Sequence, residues 1–288
     1  MCKQSSLNKA LVYEIYPSLR DFYELNLLIW LNLKVIFETD LENVTEKLKK
    51  QKFKLIIIKK NKHLESYTDI VINKIQNEFK EIPCIVISDK QNNDANSEYL
   101  RFIFIKSALQ IKPFIKTVAD SIKVSAKDMA NLKLGPFFSI KLRLLRYIQK
   151  SPVDIFCKST MSSKNPSQIL FRKGDLISPA QIKELIKKGH DEVFVNSHER
   201  ITITHEVNSG NMSRINLREL NESERIHAQD SGIKYVHKKI KDMDFDEETT
   251  KLANKQIKNL LEMSSENKDL KKLTKKLLNN KAGYIYQH

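Results

Sequence analysis

The 288 residues carry 50 Lys and Arg against 35 Asp and Glu, a formal charge of +15, which favours an anionic partner. The length suits two modest domains and an extension, no apolar run reaches the ~18 residues of a membrane span, and six glycines leave few positions for phosphate-cradling loops. Cys2, Cys84 and Cys157 lack metal-ligand spacing, so reduced thiols in a cytoplasmic protein are expected.

From the N-terminus, strand-like and helix-like segments alternate. ALVYEIY (10–16), KVIFET (34–39), FKLIIIKK (53–60), CIVIS (84–88) and RFIFIK (101–106) are short β-branched or aromatic runs bounded by polar residues. Helical patterns over 18–32, 41–51, 67–80 and 111–124 separate them. This alternation predicts an α/β fold with a parallel five-stranded sheet and flanking helices over residues 1–130.

A small α/β adaptor domain is expected over 131–207. VDIFCK (153–158) and SQILFRKG (167–174) read as a hairpin. SPAQIKELIKKG (178–189) carries a helix start and stop: Ser178 as N-cap, Pro179 at the first position, Gln181 closing a capping box and Gly189 after the end. EVFVN (192–196) and ITITHEV (201–207) read as strands, and NSGNMSRI as a linker. Residues 208–288 read as a helical connector, with an apolar stripe of Ile226, Ile233, Val236 and Ile240, solvated Glu219, Glu222 and Glu224, and a helix capped by Asp246. A last amphipathic helix is expected around Leu270, Leu273 and Leu277.

ALVYEIYPSLRDFYELNL, FKLIIIKK, IPCIVIS and RFIFIK follow one another in an order and spacing that resembles the response-regulator receiver domain. That resemblance implies an acidic pair for Mg²⁺, a phospho-acceptor aspartate, a hydroxyl residue and a lysine at successive strand ends. Matched position by position, Glu14 and Ile15 stand at the acidic pair, Lys59 at the phospho-acceptor, Ser88 at the hydroxyl and Lys106 at the lysine. Lys112–Pro113 falls too late in the chain to compete for that last role. Lysine cannot form an aspartyl phosphate, so this is a degenerate receiver site without phosphorelay input. Lys59, Lys60 and Lys106 are either surface lysines or a basic cluster holding an anion where phosphate would sit.

PVDIFCKST, ILFRKGDLIS and IKKGHDEVFV, followed by YVHKKIKDMDFDEETTKLANKQIKNLL and the terminal GYIYQH, resemble the region that precedes the catalytic part of bacterial HD-GYP proteins. The resemblance implies a non-catalytic sensory and dimerising region in cyclic-di-GMP signalling. Residues 283–288 then read as the first turn of a metal-dependent phosphodiesterase domain continuing past them. His288 would be that domain's first metal ligand, and iron or manganese would be bound only with the domain present. No cofactor is expected in these residues, and the expected partners are a second copy, the downstream domain and cyclic-di-GMP pathway proteins. His190–Asp191 lies in a helix-to-strand turn without neighbouring ligands and reads as surface, as do His198 and His205.

The competing class is nucleic-acid binding through residues 133–150, where Lys133, Lys141, Arg143, Arg146 and Lys150 interleave with Phe137, Phe138 and Tyr147. The same stretch also reads as an amphipathic segment with Leu142, Leu145 and Ile148 inward.

Overall fold

A computed structural model describes residues 8–60, 65–88, 102–130, 132, 135–158, 166, 168–241 and 246–266. Its first part runs β1 (Asn8–Tyr13), α1 (Pro17–Leu31), β2 (Leu33–Glu38), α2 (Leu41–Lys50), β3 (Leu55–Lys59), α3 (Glu65–Glu78), β4 (Cys84–Ile87), β5 (Phe102–Ile105), α4 (Ile111–Ser121) and α5 (Ala126–Ala130). The five strands are parallel throughout, in the order β2-β1-β3-β4-β5, as the alternation predicts. Every residue of β3 and β4 is buried, as expected for strands covered on both faces. Successive side chains divide between the faces. Ala10, Val12, Leu55 and Ile57 pack with Leu19, Phe22 and Phe114 of α1 and α4, while Leu11, Tyr13, Ile56 and Ile58 pack with Val44, Leu48 and Ile75 of α2 and α3.

The second part contains β6 (Phe137–Lys141), a 3₁₀ turn (Leu142–Tyr147), β7 (Ile155–Cys157), β8 (Gln168–Phe171), α6 (Pro179–Lys187) and β9 (Glu192–Asn196). These strands form an antiparallel sheet in the order β6-β9-β7-β8. The expected hairpin is there as β7 and β8. The basic 137–150 stretch, however, opens as a strand and continues as a 3₁₀ turn that buries Leu142, Leu145 and Ile148. At α6 the capping box of Ser178 and Gln181 forms as expected. The helix stops with Gly189 at φ 86°, its amide donating to Ile186 and that of His190 to Leu185, the two bonds of a Schellman motif. His190 and Asp191 therefore belong to a helix stop.

The chain then turns helical through α7 (Arg200–Arg214), α8 (Glu222–Lys241) and α9 (Glu247–Glu266). The expected strand at 201–207 and the linker after it are together one helix, α7. ITIT alternates like a strand, but Ile203, Thr204, Val207, Asn208 and Asn211 are buried on a helical repeat while Ile201 faces solvent. The expected adaptor boundary at 207/208 thus falls inside α7, and His205 lies on that helix.

α1 joins the two parts. Its Leu19, Phe22 and Leu27 belong to the core under the parallel sheet, whereas Leu25 and Ile29 pack into the second core with Leu144, Leu145, Ile155 and Val207. α7 lies along α1, where the amides of Asn26 and Asn208 donate to each other at 3.0 Å and Asn211 donates to the Ser18 carbonyl at 2.9 Å. Gly210 is required here, because a Cβ would stand 1.9 Å from the Tyr147 carbonyl oxygen. α9 closes on α8 and α7 through Gln256, which donates to Ser213 O, accepts at its own carbonyl from Gln229, and covers Gly232 of α8.

Candidate functional site

In a sheet ordered 2-1-3-4-5, the crevice beyond the carboxyl ends of β1 and β3 is where a doubly wound fold places its ligand, because the connections diverge there. A cleft of ≈ 160 Å³ occupies this position, lined by Tyr13, Glu14, Tyr16, Lys59, Arg218 and Arg225 among others. The first four come from the ends of β1 and β3. The two arginines come from the segment between α7 and the first turns of α8, which is strapped across the sheet's carboxyl edge.

Lys59, the last residue of β3, holds that strap. Its ammonium donates to the Glu219 carbonyl at 3.1 Å and pairs with the Glu224 carboxylate at 2.8 Å, with side-chain exposures of 7% for Lys59 and 0% for Glu224. It also stands 5.6 Å from the centre of the Tyr16 ring. Glu224 serves a second purpose in a capping box. The Asn221 amide donates to Glu224 Oε2 at 3.2 Å and the Glu224 amide to Asn221 Oδ1 at 2.8 Å. The strap is fixed at two further points, as Asn221 donates to the Lys106 carbonyl at 2.8 Å and Ser18 to the Glu219 carboxylate at 3.4 Å. Glu224 is therefore a buried ionic partner and not the solvated residue expected; Glu222 is exposed and Glu219 half-buried.

Glu14 lies beside this pair and is 1% exposed. Its Oε1 accepts from the Tyr16 amide at 3.1 Å, while its Oε2, Glu224 Oε1 and the Tyr23 hydroxyl are buried without a hydrogen-bond partner. Burial pushes the Glu14 pKa from 4.5 up to about 7; Lys59 and the Tyr16 amide oppose the rise, and Glu224 adds to it. Burial likewise drives the Tyr23 hydroxyl well above its ordinary value, with Glu14 and Glu224 contributing. Two carboxyl groups and one ammonium thus lie together out of solvent, at the edge of a cleft whose lining also carries Lys60, Arg218 and Arg225.

Of the remaining predicted positions, Ile15 and Lys60 line the same cleft, and Ser88 and Lys106 do not. Ser88 is buried, with its amide on the Ile105 carbonyl. Lys106 is exposed and gives the strap only its backbone, and Lys60 pairs with Asp69 across the sheet edge. Lys59 and Lys60 thus line the cleft together, each already paired with a carboxylate, and Lys106 does not join them. Ile15, the other half of the acidic pair, packs against the core between the sheet and α2. Sequence reasoning missed Glu224; the spacing Asn221-x-x-Glu224 advertises a helix start, but nothing in it marks an ion pair with a residue 165 positions away.

Of the basic 133–150 set, Lys133 lies outside the described residues. Lys141 pairs with Glu192 at 2.9 Å, Arg143 with Asp21 at 2.9 Å and also with Glu24, and Arg146 with Asp21 at 2.7 Å. Asp21 on α1 is 4% exposed and also accepts from the Tyr147 hydroxyl at 2.8 Å, and burial followed by Asp21 pushes that phenol up to about 12. Phe138 is buried and Phe137 sits edge-on to Phe156. Arg143, Arg146 and Tyr147 thus stitch the second part to α1, whereas Lys141 and Phe137 pair within the second part. Lys150 remains exposed.

Among the described residues, no three His, Cys, Asp or Glu side chains gather as a metal requires. The residues described do not fit the iron or manganese centre that the HD-GYP resemblance implies, and His288 lies outside them. No described helix is long and apolar enough to cross a membrane. Comparison with protein-family models, with curated proteins and with solved structures gave no match.

Proposed function

We propose that this chain is a non-catalytic regulatory and dimerising region of an HD-GYP-type cyclic-di-GMP signalling protein in the cytoplasm. Its degenerate receiver serves as a docking platform for its own connector helix. The observation that carries this reading is the buried Lys59–Glu224 pair at 2.8 Å. It puts an internal cation where a receiver would carry its phospho-acceptor and ties that cation to the first turn of α8. A working receiver changes state when phosphate arrives at this strand end; here the charge is built in, and the state of the site becomes the position of α8. The sheet order supports the receiver part of the reading, and the sequence resemblance alone supports the cyclic-di-GMP part.

Hydrogen exchange read by mass spectrometry tests the platform. In Lys59→Met, amides in the first three turns of α8 should lose more protection than those of β1, β3 and β4. Equal protection of α8 in both proteins would remove the coupling. Incubation with acetyl phosphate should add no phosphoryl mass, and cyclic-di-GMP should survive incubation with iron- or manganese-supplemented protein. A phosphorylated product or turnover would each overturn the non-catalytic assignment.

A further inference from the structure

Exposed large apolar side chains are scattered over most of the molecule, but six of those among the described residues lie on α8 and α9: Ile226, Ile233, Ile240, Ile257, Leu260 and Leu261. Clustering of this kind marks an interaction surface. α8 turns Ala228 and Tyr235 towards the interior and meets α9 with Gln229, Gly232 and Val236. Continuing round the helix in the same sense brings up Ile226, Ile233 and Ile240 next. On α9, Leu252 and Gln256 face α8, while Glu248 and Lys255 reach α7 through Arg214; Leu260 and Ile257 follow on the flank away from α7. The apolar residues of both helices therefore border one seam on its outer side.

The three isoleucines are spaced by seven residues, 53%, 39% and 38% exposed in order. A seven-residue apolar repeat is the pattern of a seam between long helices. The charge on α8 selects the partner and its direction. On the solvent side of the helix, residues 222–231 present Glu222 and Asp230, Glu224 being buried against Lys59, and residues 232–241 present Lys234 and Lys241, Lys238 being held by Glu206. Beside the stripe itself, Asp230 precedes Ile233, and Lys234, His237 and Lys241 follow it. A second α8 laid parallel would set lysine against lysine. Laid antiparallel, it sets the acidic half against the basic half, with Ile233 on the twofold axis and Ile226 against Ile240 of the other copy.

We infer that this face binds a second copy of the same chain through an antiparallel α8–α8 contact centred on Ile233, a geometry that specifies the dimerising part of the reading above. Sedimentation equilibrium of the full chain should return twice the monomer mass, and Ile233→Asp should return the monomer mass with an unchanged far-ultraviolet circular dichroism spectrum and a thermal transition that no longer depends on protein concentration. In a Cys2→Ser background, a short thiol cross-linker should dimerise Ile233→Cys, leave Ile226→Cys and Ile240→Cys monomeric when each is alone, and join them when they are mixed. Self-linking of Ile226→Cys would overturn the antiparallel geometry. A monomer for the unsubstituted chain at every concentration would overturn the proposal altogether, and would mean that another part of the chain or a different partner covers the face. Neither result bears on the Lys59–Glu224 coupling, which is read separately by exchange at the α8 N-terminus.

Discussion

Replacing Lys59 with methionine leaves the side-chain stem in place and deletes its charge. Glu224, with no exposed side-chain surface, and Glu14, 1% exposed, would then lose the ammonium that stands beside them. Breaking a buried ion pair from one side costs about 3–5 kcal/mol. At roughly 2–4 °C of melting temperature per kcal/mol for a chain of this size, the transition should fall by about 6–20 °C. The double variant Lys59→Met/Glu224→Gln keeps the capping-box acceptor and removes both charges of the pair, so it should regain most of that loss. Urea unfolding of the wild type, both single variants and the double variant closes a thermodynamic cycle, with an expected coupling of about 3 kcal/mol. A single-variant loss under about 0.5 kcal/mol, or a double loss equal to the sum of the singles, would refute the claim that Lys59 and Glu224 neutralise each other in a desolvated site.

Three further outcomes follow from the geometry. Glu14 holds its proton more tightly folded than unfolded, so its contribution is fully present below pH about 4.5 and is lost as pH rises through about 7. Glu14→Gln should therefore gain on the wild type across that window, by up to a few kcal/mol at pH 8, with a pH series of urea midpoints as the readout and a flat difference as the contrary result. Asp21→Asn removes the buried charge that Arg143 and Arg146, 41% and 47% exposed, reach from solvent and should cost about 1–2 kcal/mol in chemical denaturation; a neutral outcome would mean that α1 is not anchored there. Gly210→Ala forces a methyl to within 1.9 Å of the Tyr147 carbonyl and should destabilise by at least about 1–3 kcal/mol, whereas an improvement of the helix-propensity kind would show that α7 and the 3₁₀ turn are further apart.

The parallel sheet was legible because its strands are almost wholly apolar and punctuated by polar residues, and α6 because Ser178, Pro179, Gln181 and Gly189 each report a local backbone requirement. α7 was not. NSGNMSRI is polar like a linker, yet Asn208, Asn211 and Ser213 are buried where Asn208 finds Asn26, the Asn211 amide nitrogen the Ser18 carbonyl and the Ser213 hydroxyl the Gly210 carbonyl, although Asn211 Oδ1 has no partner among the described residues. Composition measures polarity, and only the fold reveals whether polarity is satisfied internally. The candidate site divides in the same way. Glu14 and Lys59 could be placed from their positions at strand ends, but Glu224 reads as one acid among several in an exposed helix start, and its burial depends on contacts made across most of the sequence.

The double allegiance of α1 has a practical meaning for anyone wishing to cut this molecule apart. A fragment ending near residue 130 would strip Leu25, Ile29 and Asn26 of their covering and leave Asp21 without Arg143, Arg146 or Tyr147. Such a piece would be sticky, and failure to purify it would say nothing about the health of the intact protein. The smallest honest unit for biochemistry runs through α9, and calorimetry on it should record one melting event instead of two.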